Sequence, residues 1–241
     1  MKLLFPLFVV LFSVFSTALA QHLLPEQELN KLPTYQNIES AIRKSDTVYK
    51  LDLSNQKLTA IPNKIGLLKK TQFLDLSGNL ITELPKEIAE LKNIQELRIS
   101  RCPNLNWQQA FSLICQLPNL EKLTIDHGNV KEIPSCIANC KNLKWFYADG
   151  NKITKLPKEI GQLHQLKVLG LSMNAITELP VEITNLTNLE ELHLTANQIT
   201  VMPKNIDKCI NMHLLILSDN KLDPKEKERV RNALPHARVQ F

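Results

Sequence analysis

The sequence predicts an α/β solenoid whose coils stack one short strand from each repeat into a parallel sheet on a concave wall. Three observations lead to this prediction: a spacing that recurs along the chain, a fixed apolar pattern within each repeat, and a Leu-Pro or Ile-Pro pair after that pattern. A repeat of roughly 20 to 50 residues indicates a solenoid, because each unit can hide its apolar face only against its neighbours. Aromatic residues make up only 5% of the 241 residues, which also suggests repetition of a few aliphatic residue types.

Eight coils are defined by apolar residues at the first, fourth and sixth positions of the repeat. Alternate apolar residues over so short a stretch are typical of a strand with one buried face. Six of the seven steps between coils are 23 residues long and one is 26. The coils begin at Val48, Thr71, Ile94, Leu120, Leu143, Leu166, Leu189 and Met212.

Each coil continues with an inward polar residue and a turn. We expect the asparagine at the ninth position to bond main-chain groups of its own and the adjacent coil, which would otherwise be buried without partners. This column contains Asn79, Asn151, Asn174, Asn197 and Asn220. A pair such as Leu156-Pro157 then opens the outer segment, where Ile160 and Leu163 are expected to face the core on about one helical turn.

Coils 3 and 4 depart from this pattern. The asparagine column holds Cys102 in coil 3 and Gly128 in coil 4, and the glycine predicts a locally loosened ladder. Coil 3 also lacks the Leu-Pro turn and has three extra residues, so we expect residues 107–114 to form a longer helix on the convex side. Coil 1 has Gln56 in the same column.

The two ends of the chain read differently from the repeats. Residues 1–20 have a basic N-terminal region, an apolar run and small residues just before Gln21. This pattern predicts a secretory signal peptide that is cleaved before Gln21. An uncleaved membrane anchor is the alternative, since the segment is nearly long enough to span a bilayer. No membrane insertion is expected after cleavage.

Caps are expected on both sides of the repeats at 48–222, because terminal coils would otherwise expose the core. The N-terminal cap at 21–47 contains an amphipathic stretch, and the C-terminal cap at 223–241 opens with Asp223 and Pro224, a pair typical of a helix start. The last residues of the chain are expected to add a closing strand.

The pattern LxxLxLxxNxL followed by LPxxIxxLxxL resembles the leucine-rich repeat family in its 23-residue form. The stretch 156–163 is especially similar to secreted bacterial members and to the Ras-suppressor-like group. The resemblance covers 48–222 and implies a horseshoe of eight coils plus terminal caps. It implies little about function, because this fold hosts many ligands.

One zone of the concave wall has the composition of a binding site. The variable strand positions project into solvent there, and Trp145 and Tyr147 share a strand and a face. Exposed Trp, Tyr, Met and Arg side chains are enriched at interface centres. The alternative is that the two aromatic side chains only stabilise neighbouring strands. We expect Val168 to join this zone and Gly170 to leave room above the sheet, while Phe73 is isolated. The other predicted ligand-binding residues are Arg98, Arg101, Lys122, His127 and Met173.

The five cysteines allow one disulfide. Cys115 and Cys136 lie on the convex side of adjacent coils and are the only pair expected to be close enough. Cys140 and Cys209 occupy core positions three coils apart, roughly 14 Å, and are interpreted as small buried hydrophobes. Cys136 and Cys140 lack a third ligand for a metal ion.

These patterns predict an exported, non-enzymatic recognition module that binds a protein or peptide on its concave face. No catalytic constellation, metal site or phosphate-cradling glycine loop is recognised, so no cofactor is expected. A net charge of +5, spread evenly, does not indicate nucleic-acid binding, and we expect a monomer. A glycan or cell-wall binding module is an alternative, because Trp and Tyr also stack on sugars. An intracellular scaffold is another, if residues 1–20 are not a signal peptide.

Overall fold

The computed structural model describes residues 23–241, so the predicted signal peptide at 1–20 lies outside the described residues. Within this described part of the chain, ten parallel strands form one sheet in which every strand pairs with its neighbours in chain order. Their bounds are β1 Thr34–Tyr35, β2 Lys50–Asp52, β3 Phe73–Asp75, β4 Glu96–Arg98, β5 Lys122–Thr124, β6 Trp145–Tyr147, β7 Val168–Gly170, β8 Glu191–His193, β9 Leu214–Ile216 and β10 Arg238–Gln240. The predicted solenoid with a parallel sheet is therefore confirmed.

Strands β2 to β9 are the eight strands that the repeat predicts. Equivalent positions of adjacent coils pair directly, so that Lys50 lies opposite Phe73 and Trp145 opposite Val168. The middle residue of each of these strands is fully buried. Strand β10 is the expected closing strand, whereas β1 extends the sheet on the other side by a pairing that the sequence did not predict.

The asparagine column satisfies the main chain as expected. The side-chain oxygen of Asn151 accepts hydrogen bonds from the N–H groups of Gly128 and Val130, at 2.9 and 3.0 Å. Its Nδ2 donates to the carbonyl oxygens of Ile125 and Ala148, both at 3.0 Å. One side chain thus serves buried groups of two coils, and the other asparagines of the column donate in the same way.

A second asparagine column, which the sequence analysis missed, lies just before the strands. In each case Nδ2 donates to a carbonyl oxygen of the preceding coil at 2.7–2.9 Å. Its members are Asn93, Asn119, Asn142, Asn188 and Asn211. The two columns together tie each of these coils to its neighbour on both sides of the sheet.

The strand of coil 4 remains paired on both sides, and Trp107 occupies the space that an asparagine side chain would fill at Gly128. Its indole Nε1 donates to the carbonyl oxygen of Gly128 at 2.6 Å, and the ring lies against the glycine. A Cβ added at Gly128 would lie 2.5 Å from Cζ2 of Trp107. In coil 3, the Sγ of Cys102 donates to the carbonyl oxygen of Leu76 at 3.4 Å, the bond that asparagine makes elsewhere.

The convex side is built from short helical turns and one longer helix. The turns are 3₁₀ helices at Asn63–Leu67, Lys86–Glu90, Ser135–Asn139, Lys158–Gln162, Val181–Asn185 and Ile206–Lys208. The α-helices are α1 Glu26–Leu29, α2 Ile38–Arg43, α3 Trp107–Ile114 and α4 Pro224–Ala233, with a further 3₁₀ turn at Ser45–Thr47. Helix α3 is the predicted convex helix, and Asp223 caps α4 by accepting from the N–H of Glu226 at 2.7 Å. None of the described helices is long and apolar enough to cross a bilayer.

The structure joins Cys115, which follows α3, to Cys136 in a disulfide between adjacent coils, with the Cα atoms 5.8 Å apart. Cys102, Cys140 and Cys209 are free and buried. Burial raises the pKa of the Cys140 thiol to about 12 and that of the Cys209 thiol to about 11, so both stay protonated at neutral pH.

Candidate functional site

The concave wall holds a cavity of about 640 Å³, called the main cavity below. Strands β2 to β6 form its floor, and the N-terminal segment that includes α1 forms one wall. Residues that line it include Leu24, Leu29, Gln72, Phe73, Gln95, Glu96, Arg98, Glu121, Lys122, Trp145 and Tyr147. Four of the seven predicted ligand-binding residues, namely Arg98, Lys122, Trp145 and Tyr147, are therefore brought together here.

Trp145 and Tyr147 lie at one end of the main cavity, half-buried on β6. The Tyr147 ring covers Gly170 of the next coil, so closely that an added Cβ would lie 2.9 Å from its Cδ1. The space predicted above Gly170 is therefore filled by Tyr147, and Val168 is buried rather than available to a ligand. Burial, assisted by the nearby carboxylates of Glu191, Asp149 and Asp126, raises the pKa of the Tyr147 phenol.

Two cations of the main cavity, Arg98 and Lys122, are already paired. Arg98 and Lys122 both bind Oε1 of Glu96, at 2.7 and 3.1 Å. A terminal nitrogen of Arg98 lies 4.0 Å from Asp75, and its guanidinium stands over the Phe73 ring, 5.1 Å from the centroid. These four charged side chains form a neutral network, so the positive charges of Arg98 and Lys122 are compensated within the wall. Phe73 is part of this network and not isolated.

The wall formed by the N-terminal segment is the feature that the sequence analysis missed. Leu24 and Gln72 exchange two hydrogen bonds of 3.1 Å, one from the Leu24 N–H and one to its carbonyl oxygen. Lys50 adds a weak bond of 3.4 Å to the carbonyl oxygen of Leu32. Nothing in the repeat pattern signals contacts between residues 48 positions apart, so sequence reasoning had no basis for this wall.

The other three predicted residues, Arg101, His127 and Met173, line a smaller depression of about 370 Å³ beside the strands. All three have left-handed backbone angles, with φ of 54, 55 and 54°. Their coil position is a turn where Gly78 and Gly150 adopt the same conformation without steric cost. The predicted site is thus two neighbouring surfaces, the main cavity and this edge depression.

Two carboxylates lie within the edge depression. Asp126 accepts from the N–H of Asp149 at 2.8 Å, and Asp149 accepts from the N–H of Ser172 at 2.6 Å. Burial is the main cause that raises the pKa of each carboxyl above its usual value of 3.8. Each carboxylate therefore caps the main chain of the next coil while remaining costly to ionise.

Further along the concave wall, His193 contacts the Glu191 carboxylate at 2.9 Å on the same strand. Within residues 23–241, His, Cys, Asp and Glu side chains form no group of three that could hold a metal ion.

Comparison with known proteins supports the fold assignment. Residues 46–103 and 141–199 match the leucine rich repeat family. An internalin (inlF) from Listeria monocytogenes is similar with 17% sequence identity and a TM-score of 0.62, over 85% of this chain and 64% of that one. Internalin C2 from the same organism shows 22% identity and a TM-score of 0.70, over 83% and 82% of the two chains.

A plant peptide hormone receptor, RGFR1, solved in complex with RGF2, shows 26% identity and a TM-score of 0.64, over 83% of this chain and 33% of the receptor. A search of curated protein sequences found no match. The repeat sequences, the stacked parallel strands and these similarities agree: the chain has the leucine-rich repeat fold.

Proposed function

We propose that this protein is an exported, non-enzymatic recognition module that binds a protein or peptide on its concave face. The observation that carries the proposal is the main cavity, where Trp145 and Tyr147 stand half-buried on a wall that includes Phe73 and Leu24. Concave sites that combine aromatic side chains with a few polar groups are typical of ligand binding. The similar plant receptor was solved with RGF2, which adds support for a peptide or protein ligand.

Binding on this wall relies on a surface that is ordered beforehand. The strands under the main cavity are held by the buried asparagine column and by direct pairing between coils. A ligand that docks there therefore orders little of the protein, and more of the contact energy is available as affinity. In this proposal Trp145 and Tyr147 are the anchors. Arg98 and Lys122 contact the ligand within the cavity, and Arg101, His127 and Met173 contact it at the edge depression.

Export is proposed from residues 1–20, followed by caps at 21–47 and 223–241 around the repeats at 48–222. The intact mass of the protein purified from its own cell envelope or medium tests this division. A chain that starts at Gln21 supports export, whereas a full-length chain recovered from inside the cell favours the scaffold alternative.

The binding site is tested by a pull-down from cell-surface and extracellular extract. The bait is the wild-type protein, beside the double variant Trp145→Ala, Tyr147→Ala. A matched control is Leu67→Ala, Val181→Ala, which removes two exposed apolar side chains from convex turns, 54% and 55% exposed. All three proteins are first compared by thermal unfolding, so that misfolding is recognised.

We expect one protein to be retained by the wild type and the control, lost with the double variant, and unaffected by added mixed oligosaccharides. Equal retention by all three baits would contradict the site. Loss of retention when oligosaccharides are added would instead favour the glycan-binding alternative.

A further inference from the structure

A row of polar side chains runs along one edge of the main cavity, at the second position of coils 2 to 5. This polar row consists of Gln72, Gln95, Glu121 and Lys144. Gln72 donates to Gln95, Gln95 makes a long contact of 3.5 Å with Glu121, and Lys144 donates to Glu121 at 2.8 Å. The row leads from the N-terminal segment to β6, where Lys144 lies 6.0 Å from the centroid of the Trp145 ring.

The first member of the row already holds a piece of peptide main chain. The side-chain oxygen of Gln72 accepts from the Leu24 N–H, and its Nε2 donates to the Leu24 carbonyl oxygen. A primary amide has both an acceptor and donors, so it complements a main-chain amide whatever side chain that residue bears. The Gln72 side chain is buried by this contact, with 1% of the residue exposed.

The next member, Gln95, retains the same capacity and faces the cavity. Its Oε1 accepts from Gln72 and has a second lone pair, and its Nε2 has only the contact of 3.5 Å to Glu121. A contact of that length is at the limit of a hydrogen bond and leaves the amide donors nearly unused. Gln95 is half-buried and lines the main cavity, where a ligand can reach it.

We propose that the main cavity takes an extended peptide whose main chain is bound by Gln95, as that of Leu24 is bound by Gln72. An apolar side chain of the same peptide packs against Trp145 and Tyr147. This inference rests on the proposed function and specifies the ligand. Gln95 and Trp145 are two coils apart, about 10 Å, which corresponds to about three residues of extended chain.

The cavity floor between Gln95 and Trp145 determines which residue types fit in the middle of the peptide. Glu96, Arg98, Lys122 and Asp75 already form a neutral network there. A further charge of either sign would be desolvated without a free partner, which costs more than its attraction returns. The peptide therefore has uncharged residues between its Gln95-bound amide and its apolar anchor.

The experiment begins with random hexapeptides displayed between Gly-Ser flanks and selected on the immobilised wild-type protein. The enriched sequence is synthesised with a fluorescent label, and its affinity is measured by anisotropy for the wild type, Gln95→Ala and Gln95→Glu. The matched control is Gln162→Ala, an exposed glutamine on a convex turn. A parallel set of peptides is N-methylated at one amide at a time, and thermal unfolding checks each variant.

We expect the enriched peptides to have one apolar position preceded or followed by uncharged residues. Gln95→Ala removes two neutral hydrogen bonds and is expected to weaken binding about five- to hundredfold. Gln95→Glu, which keeps the size and the acceptor oxygen but loses the amide donors, removes one of these bonds and weakens binding about three- to tenfold. One of the N-methylated peptides binds the wild type more weakly than the unmethylated peptide does. Methylation of the same amide does not change the affinity for Gln95→Ala, because the bond it removes is already absent.

Three other outcomes overturn the proposal, and they are distinguishable. Equal affinity of the selected peptide for wild type and Gln95→Ala, within twofold, refutes main-chain recognition but leaves the proposed function intact. If no peptide is enriched while the pull-down retains a folded partner through Trp145 and Tyr147, the ligand is not an extended peptide. Failure of both experiments rejects the proposed function as well.

Discussion

Trp107 fills the side-chain space of the asparagine column at Gly128 in coil 4, and the energy of this contact can be tested. Replacing Trp107 by Phe removes the bond to the Gly128 carbonyl and leaves that buried oxygen without a partner, at a cost of about 1–3 kcal/mol. Replacing it by Ala empties a buried aromatic site and costs about 3–5 kcal/mol. Gly128→Asn restores the residue type of the column, but its Cβ would lie 2.5 Å from the indole, an overpacking cost of about 1–3 kcal/mol.

The double variant Trp107→Ala, Gly128→Asn tests whether the asparagine at position 128 is destabilising only because it clashes with the indole. With the indole gone, the asparagine introduced at position 128 has room and can bond the main chain as the other asparagines do. We therefore expect the double variant to lose about 1–3 kcal/mol less than the sum of the two single losses. Free energies of unfolding come from urea titration followed by far-UV circular dichroism, with the slope against urea required to stay constant.

The matched control pairs Gly128→Asn with Trp145→Ala, which removes the same side chain from the concave wall. These two changes share no contact and are expected to be additive within about 0.5 kcal/mol. If the Trp107 pair is equally additive, the indole does not exclude an asparagine side chain at position 128, and this explanation of coil 4 is refuted.

Three further predictions concern stability and the site. Asp126→Asn keeps the oxygen that accepts from the main chain but removes a carboxyl whose pKa is raised by burial. Because ionisation of such a group weakens the fold as pH rises from about 3.8 through the folded-state pKa, the variant should melt higher than wild type at pH 7, and the difference should vanish at about pH 3. Cys115→Ser, Cys136→Ser should cost about 3 kcal/mol in thermal or urea unfolding, while reduction leaves the double variant unchanged. Gly170→Ala should shift the Tyr147 ring and lower partner retention, at a cost of about 1–3 kcal/mol in stability; unchanged retention would argue against Tyr147 as an anchor.

The repeat made most of the fold predictable because each coil obeys the same local constraints. Strand positions, the asparagine column and the cap at Asp223 all follow from residue types at fixed spacing, and the structure has them where expected. The second asparagine column could have been predicted from the sequence by the same reasoning. Asn93 and its equivalents recur at one coil position, but a polar residue outside the strand core was not recognised as structural.

The site was predictable only in part because its geometry depends on contacts outside the repeat. Sequence alone identified Trp145 and Tyr147 by their shared strand face, but it treated Arg98 as free. A signal was present, since Glu96 and Arg98 are two residues apart and such residues share one face of a strand. No comparable signal existed for Leu24, which reaches Gln72 from 48 residues away in a segment with no periodicity.

Backbone angle and exposure together support the proposal that the edge depression contacts a partner. A left-handed angle costs a residue other than glycine roughly 1–2 kcal/mol, and the same turn is made by glycine in coils 2 and 5. Ala196 has φ of 54° with almost no side chain to offer a ligand, so the angle alone does not mark a site. Met173 differs because its flexible, polarisable side chain is 51% exposed, where neither core packing nor turn geometry requires it. Glycine or asparagine would be more stable at this left-handed position. We therefore attribute the exposed methionine to contact with a partner.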